Sequence, residues 1–275
     1  MNDPSAALQA RDYKSGIKPI WCPGCGHYAV LSALTKALSY LALAREQVAL
    51  LSGIGCSSRL PAYLDTFGFH GVHGRPLPVA TGLKAARPDL TVLALAGDGD
   101  GFSIGGNHFL HACRRNMDLS YVVMDNEVYG MTKGQASPTT APEWTRSKLT
   151  PHGTGIPRFR PAAIALAAGA GFIARGYAGT PADLTRLLVE AIEYRGFAFV
   201  HVLSPCQTFR PEQRDWKQQV HTCEIVSDDP QLAARCIQQD DGLSLGVLYR
   251  HPMSVWQPRQ QQEVDFSAIE AEFRR

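Results

Sequence analysis

Short, unbroken apolar runs recur along the chain, and each stops abruptly at small or polar residues. Residues 90–96 (Leu-Thr-Val-Leu-Ala-Leu-Ala), 120–124 (Ser-Tyr-Val-Val-Met) and 197–203 (Phe-Ala-Phe-Val-His-Val-Leu) have strand length and no alternation. That is the pattern of strands covered on both faces. Residues 48–51 form a shorter run of the same kind. Helical patterns lie between them at about 27–43, 78–86, 162–170 and 181–194, the last with Pro181 in its first turn. Ser103 is expected to cap a helix running toward Arg114 and Arg115. Beyond Phe209 the pattern weakens to a helix at 230–238 and a strand at 245–249. Strands alternating with helices predict an α/β fold, a mostly parallel sheet with helices on both faces and a C-terminal extension.

Unusual residues stand where the strong runs end. The 90–96 run meets Gly97-Asp98-Gly99-Asp100-Gly101, whose glycines permit a tight turn and close approach to a ligand. The 120–124 run ends in Asp125-Asn126, and the 48–51 run leads into Gly53-Ile54-Gly55-Cys56-Ser57-Ser58-Arg59. The 197–203 run leads into Ser204-Pro205-Cys206. Ligands of open parallel sheets bind beyond the carboxyl ends of the strands, so Asp98, Asn126, Cys56 and Cys206 are expected at one edge of one sheet. A carboxylate and an amide oxygen suit Mg²⁺, which completes its octahedron with phosphate oxygens, water and backbone carbonyls. A dinucleotide fingerprint is excluded, because Phe102 or Ile104 stands where its third glycine belongs, and no Walker-type phosphate loop occurs. The bland alternative is a glycine-rich turn in an ordinary α/β core.

Cysteine spacing adds a second chemistry. Cys22-Pro-Gly-Cys25 is a C-x-x-C knuckle, a common bidentate thiolate grip on a metal. With Cys56 and Cys206 it supplies four thiols from three segments, so any cluster is held by the fold and not by one loop. A redox dithiol, a structural Cys₄ zinc site or a coincidence of buried thiols compete, and spacing does not separate zinc from iron. Cys113, Cys223 and Cys236 read as ordinary buried thiols.

Composition narrows the class. At 275 residues, 45% hydrophobic and 19% charged, the chain can bury one large core with an appendage. A net charge of +2 gives no case for nucleic acid. No stretch approaches a membrane span, and the polar start does not read as a signal peptide, so the expected location is the cytoplasm. The organisation expected is an N-terminal arm (1–20), a core domain (21–206) and a tail packing on the core or a partner (207–275). Residues 127–160 lack any period, and a loop of that length usually carries function or a partner contact.

Gly-Asp-Gly followed at this distance by Asn126 resembles the metal–diphosphate motif of thiamine diphosphate enzymes. That resemblance implies a third Mg²⁺ ligand from the Val128 carbonyl. It also implies that Tyr129, Gly130, Met131 and Thr132 give backbone N–H groups and a hydroxyl to the diphosphate.

The segments 21–27, 53–59, 73–75, 97–101 and 126–135 together resemble the β subunit of 2-oxoacid:ferredoxin oxidoreductases across roughly residues 15–210. They are most like the two-subunit 2-oxoglutarate members. The resemblance implies a thiamine-diphosphate-binding fold, with a [4Fe–4S] cluster on Cys22, Cys25, Cys56 and Cys206. It implies Mg²⁺ on Asp98, Asn126 and Val128, with Gly55, Cys56, Ser57, His73, Gly99 and Asp100 at the cofactor. The reaction implied joins a 2-oxoacid, coenzyme A and oxidised ferredoxin to give acyl-coenzyme A, CO₂ and reduced ferredoxin, or runs in reverse to fix CO₂. Alternatives are pyruvate or branched-chain 2-oxoacids as substrates, or a non-redox thiamine decarboxylase with a structural Cys₄ zinc site. Arg59, and less so Lys133, could clamp the distal carboxylate of a dicarboxylic substrate, since a guanidinium suits bidentate binding. Glu46, Glu127 and Glu143 match no cofactor-activating motif, so that glutamate is expected on a larger α subunit, in a dimer of αβ pairs.

Overall fold

The computed structural model of the chain describes residues 8–223 and 227–258, together with Ser267, Glu270 and Ala271. The apolar runs form the centre of a sheet: β1 (Val48–Ser52), β3 (Thr91–Gly97), β4 (Leu119–Asp125) and β6 (Phe197–Leu203). These are joined by β2 (Phe67–His70), β5 (Phe172–Tyr177), β7 (His221–Thr222) and β8 (Ser244–Arg250) in the order β2-β1-β3-β4-β6-β5-β8-β7. All neighbours from β2 to β5 are parallel, whereas β8 runs antiparallel to β5. The α/β reading is thus borne out, with β8 and β7, parallel to each other, running opposite to the other strands at the far edge.

Helices cover both faces, as uninterrupted apolar strands require. On one face α1 (His27–Tyr40) and α5 (Pro181–Glu193) present Val30, Leu34, Leu38, Leu184, Leu187 and Leu188 to strand residues such as Leu50, Leu93 and Val122. On the other, α2 (Pro76–Ala86), α3 (Gly106–Arg115), α4 (Pro161–Ala167) and α7 (Pro230–Gln239) bury Leu77, Phe109, Ala165 and Ile237 against Val92, Val123 and Phe199. Truncating a fully buried residue such as Leu34 to alanine costs about 2–5 kcal/mol by this packing.

Three local features depart from the sequence reading. Ser103 does not cap a helix. It lies exposed in a wide π-type turn, Gly99–Ile104, closed by Gly105 N–H donating to Asp100 O at 3.1 Å, and α3 begins only afterwards. Strand β2 went unseen because its four residues, Phe-Gly-Phe-His, are all exposed and carry no buried-strand pattern. After Cys206, α7 and β8 stand where the pattern placed a helix and a strand, but α6 (Trp216–Gln219) and β7 carried no signal, and residues up to Arg250 extend the sheet and its second face. Residues 127–160 hold no helix or strand, only a bridge between Tyr129 and Gln135. Within the expected N-terminal arm, Tyr13 is fully buried with its hydroxyl on Leu38 O, while residues 1–7 lie outside the described residues, as does most of the chain after 258. Among the described residues no helix is long and apolar enough to cross a membrane.

Candidate cofactor and cysteine site

Strand order positions the site. β1 has β2 on one side and β3 on the other, so the chain reverses direction across the sheet there, the point where such sheets open a crevice. The carboxyl ends of β1, β3, β4 and β6 stand side by side and carry Gly53–Cys56, Asp98, Asn126 and Cys206 in turn. A cavity of about 220 Å³ opens between them, lined by Gly55, Cys56, Ser57, His73, Asp98, Gly99, Asp100, Asn126, Val128 and the Tyr129–Thr132 turn.

At its floor, the Asp98 carboxylate is 2% exposed; Oδ2 accepts from Thr139 Oγ1 at 3.0 Å and Oδ1 from Asn126 N–H at 3.4 Å. Thr139 Oγ1 also lies 2.8 Å from Asp125 Oδ1. One hydroxyl has one proton, so the two carboxylates compete for it. Burial, and then the Asp125 charge, pushes the Asp98 carboxyl well above the usual carboxylate range. Burial acts on Asp125 too, but the hydrogen bond from His201 holds it low. A cation over Asp98 would take the proton's place, and with Asn126, whose amide oxygen accepts from Val128 N–H at 3.1 Å, in the same lining, the donor types fit Mg²⁺.

The glycines serve the protein as much as a ligand. A Cβ on Gly99 would come 2.2 Å from the Tyr129 ring, whose hydroxyl donates to Gly99 O at 3.3 Å. The turn 129–132 is thereby stacked directly onto the Asp98 loop. Thr132 spends its hydroxyl on Gln135.

Asp100 ties three segments together. Its Oδ1 accepts from His73 Nδ1 at 2.6 Å, from Ile54 N–H at 3.0 Å and from Gly74 N–H at 2.7 Å. Gly74 has φ +71°, and a Cβ there would meet Ile104, so the His73 loop depends on that glycine. An oxygen already accepting two N–H groups also accepts from histidine, which puts the neutral ring's proton on Nδ1 and the lone pair on Nε2. Asp100 Oδ2 is buried and without a partner.

A second cavity of about 240 Å³ adjoins the first, and all four predicted cysteines line it: Cys22, Cys25, Cys56 and Cys206. Cys56, Asn126, Gly130 and Met131 belong to both linings. Trp21 fixes the knuckle by donating Nε1–H to Cys56 O at 2.7 Å and packing edge-on to His27, Tyr28 and Tyr63. Burial pushes the Cys25 thiol up to about 12, and Cys206, Cys56 and Cys22 add to the rise by repulsion. Four thiols at one cavity, with repulsion among them raising Cys25 and Cys56, are a donor set that a cationic cluster would discharge. His27, buried with Nδ1 2.8 Å from Ser204 Oγ, is driven down to about 4 by burial. Cys113 is buried in α3 on the other face, and Cys223 and Cys236 line a separate cavity, both only half-buried.

Arg59 lines the cysteine cavity, its Nε donating to Tyr63 OH at 3.3 Å, and its charge opposes the burial that raises Cys56. Lys133 sits exposed at φ +75° in the turn, outside both linings.

The structure also brings in residues that sequence reasoning passed over. His201 Nε2 donates to Asp125 Oδ2 at 2.8 Å, and Arg175 Nε donates to His201 Nδ1 at 3.2 Å. Arg175 continues to Asp240 Oδ2 at 2.6 Å. A histidine inside the apolar 197–203 run was the available signal for this network. Thr139, Arg210 and Gln213 gave none, since they sit in segments without a period.

Residues 53–202 match the family described as "Thiamine pyrophosphate enzyme, C-terminal TPP binding domain". The chain is 38% identical to subunit beta of 2-oxoacid:ferredoxin oxidoreductase 2 of Aeropyrum pernix, over 86% of this chain and 82% of that one. It is a β subunit of the 2-oxoacid:ferredoxin oxidoreductase family. The 2-oxoglutarate oxidoreductase subunit KorB of Mycobacterium tuberculosis is 45% identical over 73% of this β subunit, which spans only 54% of that relative's length. Among solved structures, the 2-oxoglutarate:ferredoxin oxidoreductase of Magnetococcus marinus, with 2-oxoglutarate, coenzyme A and succinyl-CoA bound, superposes with a TM-score of 0.87. That match has 38% identity and covers 97% of the β subunit and 91% of the Magnetococcus chain.

Proposed function

We propose that the chain is the thiamine diphosphate- and [4Fe–4S]-binding subunit of an enzyme that oxidatively decarboxylates 2-oxoglutarate to succinyl-coenzyme A and CO₂ with reduction of ferredoxin. The observation that carries this reading is the shared wall: Cys56 and Asn126 line both the carboxylate-floored cavity and the four-cysteine cavity. The relatives named for 2-oxoglutarate favour that substrate over pyruvate or branched-chain 2-oxoacids.

When bound, thiamine diphosphate supplies the electron sink for decarboxylating a 2-oxoacid, and the cluster supplies a one-electron outlet. Asp98, the Asn126 amide oxygen and the Val128 carbonyl would hold Mg²⁺, with the 129–132 turn, Gly55 and Ser57 around the diphosphate. Ile54, Met124, Val128 and Met131 give the cavity an apolar share of its wall. His73, its tautomer set by Asp100, offers Nε2 as the proton acceptor. Arg59 answers the distal carboxylate of the substrate. Glu127 is engaged by Arg210 and Arg158, and neither Glu46 nor Glu143 lines the cavity, so the cofactor-activating carboxylate comes from a larger α subunit. Residues 21–206 carry the proposed cofactor and cluster ligands, in a sheet that continues to Arg250, and act in the cytoplasm with ferredoxin as the acceptor.

The test is metal analysis and visible absorption of anaerobically purified enzyme, followed by coenzyme A-dependent ferredoxin reduction with 2-oxoglutarate. Iron, visible absorption and turnover are expected. Colourless protein carrying zinc would overturn the redox reading and leave a zinc-stabilised thiamine decarboxylase.

A further inference from the structure

Three consecutive carbonyls in the metal–diphosphate loop are held by one segment of chain that also carries the fourth cysteine. Asp125 O accepts from Ser204 N–H at 2.7 Å, Asn126 O from Gln213 Nε2 at 2.8 Å, and Glu127 O from Arg210 Nη1 at 2.8 Å. Cys206 lies inside that segment, between Ser204 and Arg210. Glu127 itself sits at φ +53°, a conformation uncommon for a residue with a side chain, so the loop depends on these donors to keep its shape.

Arg210 and Gln213 both reach the two sides, and Gln213 does so through one side-chain group. It is 1% exposed, and its Oε1 accepts the Cys206 backbone N–H at 2.9 Å while its Nε2 donates to Asn126 O. One planar amide therefore joins the peptide of Cys206 to the peptide of Asn126, the bond to Asn126 buried and the bond to Cys206 half-buried. Arg210 fixes the strap from which Gln213 projects. Its N–H donates to Cys206 O at 2.9 Å, its Nη2 meets Glu127 Oε2 at 2.6 Å, and its guanidinium stacks 4.6 Å from the Trp144 ring. The Cys206 and Asn126 peptides thus share one planar amide, a direct hydrogen-bonded path between the two sites.

We infer that Gln213 is a positioning residue that couples the four-cysteine site to the metal–diphosphate site, so that filling one changes the affinity of the other. The inference rests on the proposed assignment of those two cavities. Coupling between sites is reciprocal, and a factor of about 5 or more is the usual range for a specific mechanical link.

The experiment uses the assembled enzyme. Mg²⁺–thiamine diphosphate is titrated calorimetrically with the cluster in place and again after the iron has been removed by chelation. Wild-type protein is expected to show a dissociation constant that differs between the two states by about 5-fold or more. Gln213→Glu keeps an oxygen for Cys206 N–H but replaces the donor facing Asn126 O with an acceptor. Its two dissociation constants are expected to agree within about 2-fold, with iron content unchanged. Gln213→Met, which has similar length and neither polar group, serves if the glutamate variant does not fold, and carries the same expectation. The shift in cluster reduction potential on cofactor loading should vanish in the same variants, which a purely structural role for Gln213 would not produce. A wild-type ratio of one, or an unchanged ratio in the variants, overturns the coupling while leaving the functional reading intact. Wild-type enzyme that holds neither iron nor thiamine diphosphate overturns both.

Discussion

His73 Nδ1 lies 2.6 Å from Asp100 Oδ1, and that same oxygen accepts the backbone N–H groups of Ile54 and Gly74. If Asp100 sets the tautomer that leaves Nε2 as proton acceptor, the two residues act as one unit. Asp100→Asn and His73→Gln should each lower kcat/KM by roughly 10- to 100-fold, the value of a charge-assisted hydrogen bond at about 1.5–3 kcal/mol. The double variant should be no worse than about 3-fold below the weaker single one. Multiplicative losses in steady-state kinetics would show that they act independently.

Asp98→Ala removes the buried carboxylate beneath Thr139 and should abolish Mg²⁺-dependent thiamine diphosphate binding. Because β3 is held by its own apolar run, far-ultraviolet circular dichroism should stay at wild-type values. Wild-type cofactor affinity by calorimetry would remove Asp98 from the ligand set.

Cys22, Cys25, Cys56 and Cys206 changed singly to serine should each lower iron content and ferredoxin reduction, since thiolates are the preferred ligands. Cys113→Ser, in α3 on the opposite face, should leave iron unchanged, and so should Cys223→Ser and Cys236→Ser. Iron lost on changing Cys236 but kept on changing Cys206 would redraw the set.

Arg59→Ala should lower kcat/KM for 2-oxoglutarate by roughly 10- to 100-fold through a lost bidentate contact. Pyruvate, without a distal carboxylate, should lose much less. Equal losses on both substrates would tie Arg59 to Cys56 and the cluster, whose cavity it lines.

His201 is buried among Asp125, Arg175, Asp240 and the rings of Phe102 and Phe199, and burial depresses it below 6.5 despite Asp125. Below that pH the unfolded chain binds a proton that the folded chain refuses, so this group's contribution to stability is lost as pH falls. The stability difference between wild type and His201→Gln should narrow by up to about 1.4 kcal/mol per pH unit below 6.5. Denaturant melts at several pH values check this, and a difference independent of pH would mean that His201 titrates normally in the fold.

What could be read in the chain and what could not divide along physical lines. Buried parallel strands announce themselves as apolar runs, so β1, β3, β4 and β6 and the residues at their ends were legible, and with them the edge on which Asp98, Asn126, Cys56 and Cys206 gather. Phe67–His70 is a strand by its pairing with β1 alone, with no buried side chain to mark it. Ser103 looked like a cap because a serine before a helical period usually is one, yet the chain makes a π-type turn first to place Asp100. Arg210 and Gln213 are polar residues in an aperiodic stretch, and their importance lies in tertiary hydrogen bonds to carbonyls of residues more than eighty positions earlier.

The antiparallel strand β8 also bears on how the protein is made. Synthesis delivers the amino-terminal part first, and β5, ending at Tyr177, waits for β8 to cover its outer edge until Arg250 has left the ribosome. In that interval Phe172, Ile173 and Ala174 border an open row of backbone donors and acceptors, a template for pairing with a neighbouring nascent chain. A chain cut after Cys206 would keep every residue proposed to touch a cofactor and leave that edge permanently open. The natural stopping point for a minimal soluble fragment is therefore beyond residue 250, well past the last of the site's cysteines.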